Sequence, residues 1–137
     1  MKKNYNATLD SIKTHKLPKW YDDYKFGIFI HWGIYSVPAY APPTWELGEV
    51  PADEEWFCNN PYAEWYFNSI NVGRGPTYEH HIKTYGKDFN YEDFIPKWKA
   101  ENWNPDKWAQ LFKKAGAGYV VLTSKHHDGF CLFPSNY

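Results

Sequence analysis

Two short apolar runs that each give way to histidine limit what this chain can fold into. Residues 26–30 (FGIFI) lead into His31, and residues 118–124 (GYVVLTS) lead into Lys125, His126, His127 and Asp128. Both runs are brief, aromatic or β-branched, and bounded by glycine. That is the pattern of a strand buried on both faces, as in a parallel sheet. A helix stands ahead of the second run: Asn104 is its cap candidate and Pro105 its first residue, with Asp106 in the first turn. Trp108, Leu111, Phe112 and Ala115 recur at helical spacing, Lys113 and Lys114 close the last turn, and Gly116 ends it. Strand, helical crossover and strand make a βαβ unit, which predicts an α/β fold with parallel strands and a right-handed crossover.

The remaining segments read less sharply. Residues 1–19 form a polar lead-in, and ordered structure is expected from about Leu17, so that residues 20–137 form the folded part. Residues 34–61 carry Pro38, Pro42, Pro43, Pro51 and Pro61 together with Gly48, and read as a long irregular loop. Its aromatic content (Tyr40, Trp45, Trp56, Phe57) argues against disorder. Asn60 and Pro61 predict a helix start, with Ala63, Glu64, Trp65, Tyr66 and Phe67 inside the helix. Thr77 reads as the cap of a second helix ending at Gly86, and Asn90 as the cap of a short third one from Tyr91 to Ile95 ahead of Pro96. His80 and His81 lie in the polar second helix and read as a solvated face.

Composition narrows the function classes. Aromatic residues make up 21% of the 137 residues, with 8 Trp, 12 Tyr and 9 Phe. Most of the tryptophans are expected in a core, and the surplus suits flat surfaces on which the C–H faces of sugar rings stack. Net charge is −1 with no basic run, which argues against nucleic acid as a partner. Two isolated cysteines, Cys58 and Cys131, form neither a disulfide framework nor a zinc motif and read as thiols. No apolar run approaches the roughly 18 residues of a membrane span, and the N-terminus lacks the apolar core of a signal peptide. A cytoplasmic location without membrane contact is the expectation.

Polar residues at the carboxyl ends of two parallel strands occupy the place where α/β folds bind ligands. Three chemistries fit His31, His126, His127 and Asp128. A metal site would use the imidazoles with Asp128, although adjacent histidines diverge near a strand end and no HExxH pattern is present. A hydroxyl-binding site would use the one donor and one acceptor of each neutral imidazole. The third reading is a turn motif, with Asp128 capping the turn before Gly129. Glycoside cleavage needs two carboxylates, about 5–5.5 Å apart where configuration is retained. Glu46, Glu49, Glu64 and Asp128 are the candidates, and spacing alone brings no two of them together.

These residues also resemble a known family. Residues 25–38 (KFGIFIHWGIYSVP), 60–66 (NPYAEWY), 85–89 (YGKDF), 115–119 (AGAGY) and 123–130 (TSKHHDGF) resemble, in order and spacing, segments of the alpha-L-fucosidases of glycoside hydrolase family twenty-nine. The resemblance runs from about Leu17 onward. It implies the N-terminal portion of a (β/α)8 TIM-like barrel, incomplete in this chain, and retaining hydrolysis of terminal α-L-fucosyl linkages. It implies a fucosylated oligosaccharide or glycoconjugate as partner and no cofactor or metal. His31, Glu64, His126 and His127 match the family's fucose-hydroxyl ligands, and Trp56 matches an aromatic at the pocket edge. The family's nucleophile and acid/base carboxylates fall after Tyr137, and such a barrel takes about 250 residues. The resemblance therefore implies substrate-binding residues without catalytic ones, an inactive isolated chain, and either a truncated sequence or a second polypeptide that completes the barrel. The competing expectations are a non-enzymatic fucose-binding module and a metal-dependent hydrolase using His126, His127 and Asp128.

Overall fold

The structure, a computed structural model, describes residues 5–43 and 55–136. Glu46 and Glu49, two of the carboxylate candidates, lie outside the described residues, as do Trp45, Gly48 and Pro51. The chain divides into two compact units, one of residues 1–28 with 105–120 and the other of residues 29–104 with 121–137.

In the first unit, α1 (Leu9–Lys13) lies within the lead-in, its Thr8 cap accepting a hydrogen bond from the Ser11 amide at 3.3 Å. It buries no residue, and α2 (Lys19–Asp23) follows it. α3 (Pro105–Lys114) is the helix that the sequence marks most clearly. Its end is a Schellman motif: Ala117 N–H reaches the Phe112 carbonyl and Gly116 N–H the Lys113 carbonyl, both at 3.0 Å. Gly116 takes φ 90°, a conformation that costs glycine nothing. The Gly118 amide donates to the Phe26 carbonyl at 2.9 Å. Backbone and side chain approach closely here, because the Tyr119 ring lies over Gly27 and the Tyr24 ring over Gly118, where a Cβ would collide with each.

β1 (Gly27–Ile30) and β2 (Tyr119–Leu122) pair as a two-stranded sheet. Its flanking bonds, Gly118 to Phe26 and Thr123 to Ile30, advance along both strands together, so the strands are parallel, as the pattern requires. The expectation that both faces are buried does not hold: Phe29 is 65% exposed and Leu122 44%. The apolar runs record an environment on two faces, and the described residues supply no element that covers both.

The second unit has its own core, built from aromatics rather than from the sheet. Ile34, Tyr35, Tyr66, Tyr91 and Phe94 are buried together, with Phe67, Tyr85, Phe89 and Phe130 packed against them. Among the described residues no tryptophan belongs to this buried set, contrary to expectation, and none is fully buried. The helix expected from Pro61 begins later, as a 3₁₀ turn (Ala63–Trp65) that continues into α4 (Tyr66–Asn71). The cause is local: Asn60 accepts a hydrogen bond from the Tyr62 amide at 2.9 Å, and Tyr62 stays extended. α5 (Pro76–Tyr85) starts one residue ahead of Thr77, because Pro76 takes the first helical position and Gly75, at φ 91°, the cap. The segment after Asn90 is a 3₁₀ helix (Tyr91–Lys97) that runs through Pro96, its last turn closed by the Trp98 amide on the Phe94 and Ile95 carbonyls.

The solvated-face reading of His80 and His81 is overturned. His81 is 3% exposed and bonds on both ring nitrogens, to the Tyr66 hydroxyl at 2.9 Å and the Phe89 carbonyl at 2.7 Å. His80 stacks on Tyr40 with ring centroids 3.6 Å apart.

Candidate functional site

Most of the sequence-predicted site residues converge in the second unit. His31 directly follows β1, and its ring stands edge-on to that of His126, centroids 5.2 Å apart. His126 and His127 open a turn closed by Gly129 N–H on the His126 carbonyl at 3.0 Å, with Gly129 at φ 78°. Their rings are perpendicular, 4.8 Å between centroids, so the two imidazoles face different directions. Trp65 lies 4.1 Å from the His127 ring and 5.9 Å from the His126 ring. Trp56 packs edge-on against Trp65, centroids 5.2 Å apart.

Glu64 sits on the 3₁₀ turn Ala63–Trp65, half-buried, and its charge acts on both Tyr35 and His126. Tyr35 and Trp65 were not singled out from the sequence as site residues. The signal for both was present, since each lies inside the motif that carries a candidate ligand, Tyr35 four residues after His31 and Trp65 beside Glu64.

The electrostatics favour a neutral His126. Burial, and then the neighbouring His127 and His31, hold its imidazole below the usual histidine range, while Glu64 and Asp128 pull less strongly the other way. Its Nδ1 is buried with no hydrogen-bond partner among the described residues. A buried polar atom left unpaired is costly, which adds to the preference for a neutral ring. The Tyr35 phenol is pushed up to about 12, first by burial and then by Asp128 and Glu64, and remains a neutral hydroxyl at physiological pH.

Asp128 takes the turn-capping role that the sequence left open. Its Oδ1 accepts from the Phe130 amide at 3.1 Å and its Oδ2 from the Tyr91 hydroxyl at 2.7 Å. Both oxygens are engaged within the protein, and among the described residues no group of three His, Cys, Asp or Glu side chains is placed to hold a metal ion. Glu64 and Asp128 are the described carboxylates whose charges reach His126. The arrangement therefore offers imidazole donors and acceptors, one carboxylate and an indole face, which together match a polyhydroxylated ring with an apolar side.

The comparisons with known proteins agree with that chemistry. The family model described as alpha-L-fucosidase matches residues 1–137. The chain is 42% identical over 134 residues to the alpha-L-fucosidase of Dictyostelium discoideum, covering 96% of this chain and 25% of the relative. It is 40% identical over 134 residues to human plasma alpha-L-fucosidase, covering 97% and 24%. A solved alpha-L-fucosidase shares 58% identity at a TM-score of 0.90, covering 97% of this chain and 30% of that one. The Thermotoga maritima alpha-fucosidase solved in complex with fucose shares 53% identity at a TM-score of 0.85, covering 97% and 29%. The chain spans about a quarter of the length of the curated relatives it matches.

Proposed function

The chain belongs to the alpha-L-fucosidase family, and from that premise we propose that its histidine cluster binds the L-fucosyl ring of a fucosylated oligosaccharide or glycoconjugate, as part of a retaining glycoside hydrolase built on a (β/α)8 barrel. The observation that carries this reading is the convergence of the His31, His126 and His127 rings, 5.2 Å and 4.8 Å between neighbouring centroids, beside the Trp65 indole. His31 and His127 flank His126 and offer imidazole groups to neighbouring hydroxyls, with Glu64 as a carboxylate acceptor. The Trp65 face, close against His127, suits the apolar side of the ring. Trp56 extends that wall as a rim residue. The solved relative in complex with fucose supports the same choice of sugar.

The residues described here hold substrate rather than break its bond. Retention needs two carboxylates about 5–5.5 Å apart, and Asp128 is committed to Tyr91 and Phe130. The cleaving pair is assigned to other residues of the barrel, and the 137-residue chain alone is expected to leave an aryl α-L-fucoside intact.

Binding is tested by titrating L-fucose into the chain and following tryptophan fluorescence, with D-fucose, its mirror image, as the control. His126→Ala is expected to weaken L-fucose by roughly 5- to 150-fold, the equivalent of about 1–3 kcal/mol for one buried hydroxyl contact. Equal responses to the two enantiomers, or unchanged affinity in His126→Ala, would refute the assignment.

A further inference from the structure

Asp128 is neither a free carboxylate nor a simple surface cap. It is the third residue of the turn that begins His126-His127, and it is tied at both oxygens. One tie is local, from the Phe130 amide at 3.1 Å. The other crosses to the core, from the hydroxyl of Tyr91 at 2.7 Å. Tyr91 is 5% exposed and packs its ring against Phe67, 4.9 Å between centroids, and Phe94, 6.0 Å. A fixed ring therefore holds the hydroxyl in place. Beyond the turn, Leu132 N–H closes on the Ser124 carbonyl at 2.8 Å, and Lys125 bridges to Cys131. These backbone bonds secure the base of the loop. The His126–Gly129 tip is closed by the Gly129 N–H on the His126 carbonyl, and Asp128 links it to the core.

We propose that Tyr91 and Asp128 form a positioning pair, in which Tyr91 anchors Asp128 to the aromatic core and Asp128 fixes the turn that presents the rings of His126 and His127 to the sugar. Neither residue touches the ligand in this arrangement. The inference rests on the fucose-binding reading for its purpose, but the geometry it claims stands apart from that reading. Tyr91 remains a hydroxyl donor throughout the physiological range, because burial first, and then its bond to Asp128, push its phenol far up.

The test uses the 137-residue chain and three variants: Tyr91→Phe, Asp128→Ala and Asp128→Asn. The ring Cε1–H signals of the histidines are followed by NMR without ligand, and L-fucose is then titrated. In Tyr91→Phe and Asp128→Ala, the His126 and His127 signals are expected to move while those of His81, held by Tyr66 and Phe89, stay in place. Affinity for L-fucose is expected to fall by about tenfold, the loss of roughly one well-placed hydrogen bond. Asp128→Asn keeps the shape, with its amide oxygen accepting from the Phe130 amide and its amide N–H donating to the Tyr91 oxygen, so rings and affinity are expected to stay near wild type. A general loss of stability would move the His81 signals too and would not be rescued by asparagine. The proposal is overturned if His126 and His127 are unmoved in Tyr91→Phe, or if Asp128→Asn behaves as Asp128→Ala. Should the wild-type chain take no L-fucose, the fucose reading falls and the ring signals decide the positioning by the same criteria.

Discussion

Replacing His81 by leucine keeps most of the side-chain volume at a buried position but removes both ring nitrogens. In the wild type, Nε2 faces the Phe89 carbonyl at 2.7 Å, and a carbonyl only accepts, so Nε2 carries the proton. Nδ1 then accepts from the Tyr66 hydroxyl at 2.9 Å. Tyr66 is 1% exposed, so its orphaned hydroxyl bears the full desolvation penalty of about 1–3 kcal/mol. The Phe89 carbonyl is only part-buried and regains some water, which lowers its share to about 1 kcal/mol. The expected loss for His81→Leu is therefore about 2–4 kcal/mol, a drop of roughly 1–2 M in the urea midpoint for a small domain. Tyr66→Phe alone leaves Nδ1 unpaired and costs less, about 1–2 kcal/mol. The double variant removes both partners of that bond together and should cost less than the sum by about 1–2 kcal/mol. Urea unfolding of the four proteins, followed by tryptophan fluorescence, closes the cycle. Additivity to within about 0.3 kcal/mol would show that the two side chains are not coupled and would refute the reasoning.

Two further outcomes follow from particular geometry. Gly75→Ala places a Cβ 2.7 Å from the Cys58 carbonyl oxygen on a residue at φ 91°, so a cost of about 1–3 kcal/mol is expected in the same urea assay, and a change under about 0.5 kcal/mol would contradict that strain. His126 gives stability a pH slope. Its folded-state value lies below the ordinary 6.5, so between the two the unfolded chain holds a proton that the folded chain lacks. Stability should therefore rise with pH through that window and fall as pH drops below about 6.5, and His126→Gln should remove this component. Identical pH profiles for the two proteins would contradict the neutral, desolvated ring.

The sequence was most legible where one residue type has one use. Pro105, Asp106, Lys113 and Gly116 marked α3 because proline, charge and glycine act at helix ends through backbone physics alone, and the Schellman bonds at Gly116 bear this out. The nearness of His31 and His126 agrees with parallel pairing, which brings the segments that follow β1 and β2 to the same edge of the sheet, although His126 lies four residues beyond β2. His81 was missed because the buried face of α5 is made of Thr77, His81 and the half-buried Tyr85. Those positions repeat every four residues, but two of them are polar, so hydrophobic periodicity assigned the face to solvent. His81 is instead satisfied by a tertiary bond to Tyr66, on another helix, which no local pattern reports. Asp128 was ambiguous for a related reason: its turn bond to Phe130 is local and readable, whereas its bond to Tyr91 spans 37 residues.

That contrast bears on what holds the candidate site in place. Phe29 and Leu122 are both substantially exposed, so sheet packing contributes little to the order around the histidines. The buried set is Ile34, Tyr35, Tyr66, Tyr91 and Phe94, and the tyrosines in it do two things at once. Their rings fill the core, and burial raises their phenols so that each remains a neutral hydroxyl. Tyr66 uses its hydroxyl on His81 and Tyr91 uses its own on Asp128, while the Tyr35 ring packs edge-on against His126 at 5.9 Å. Phenylalanine at Tyr66 or Tyr91 would fill the same space yet leave His81 or Asp128 short of a partner. The core is thus also the scaffold of the site, and substitutions inside it should disturb His126 and His127 more than equal changes in volume at Phe29 or Leu122.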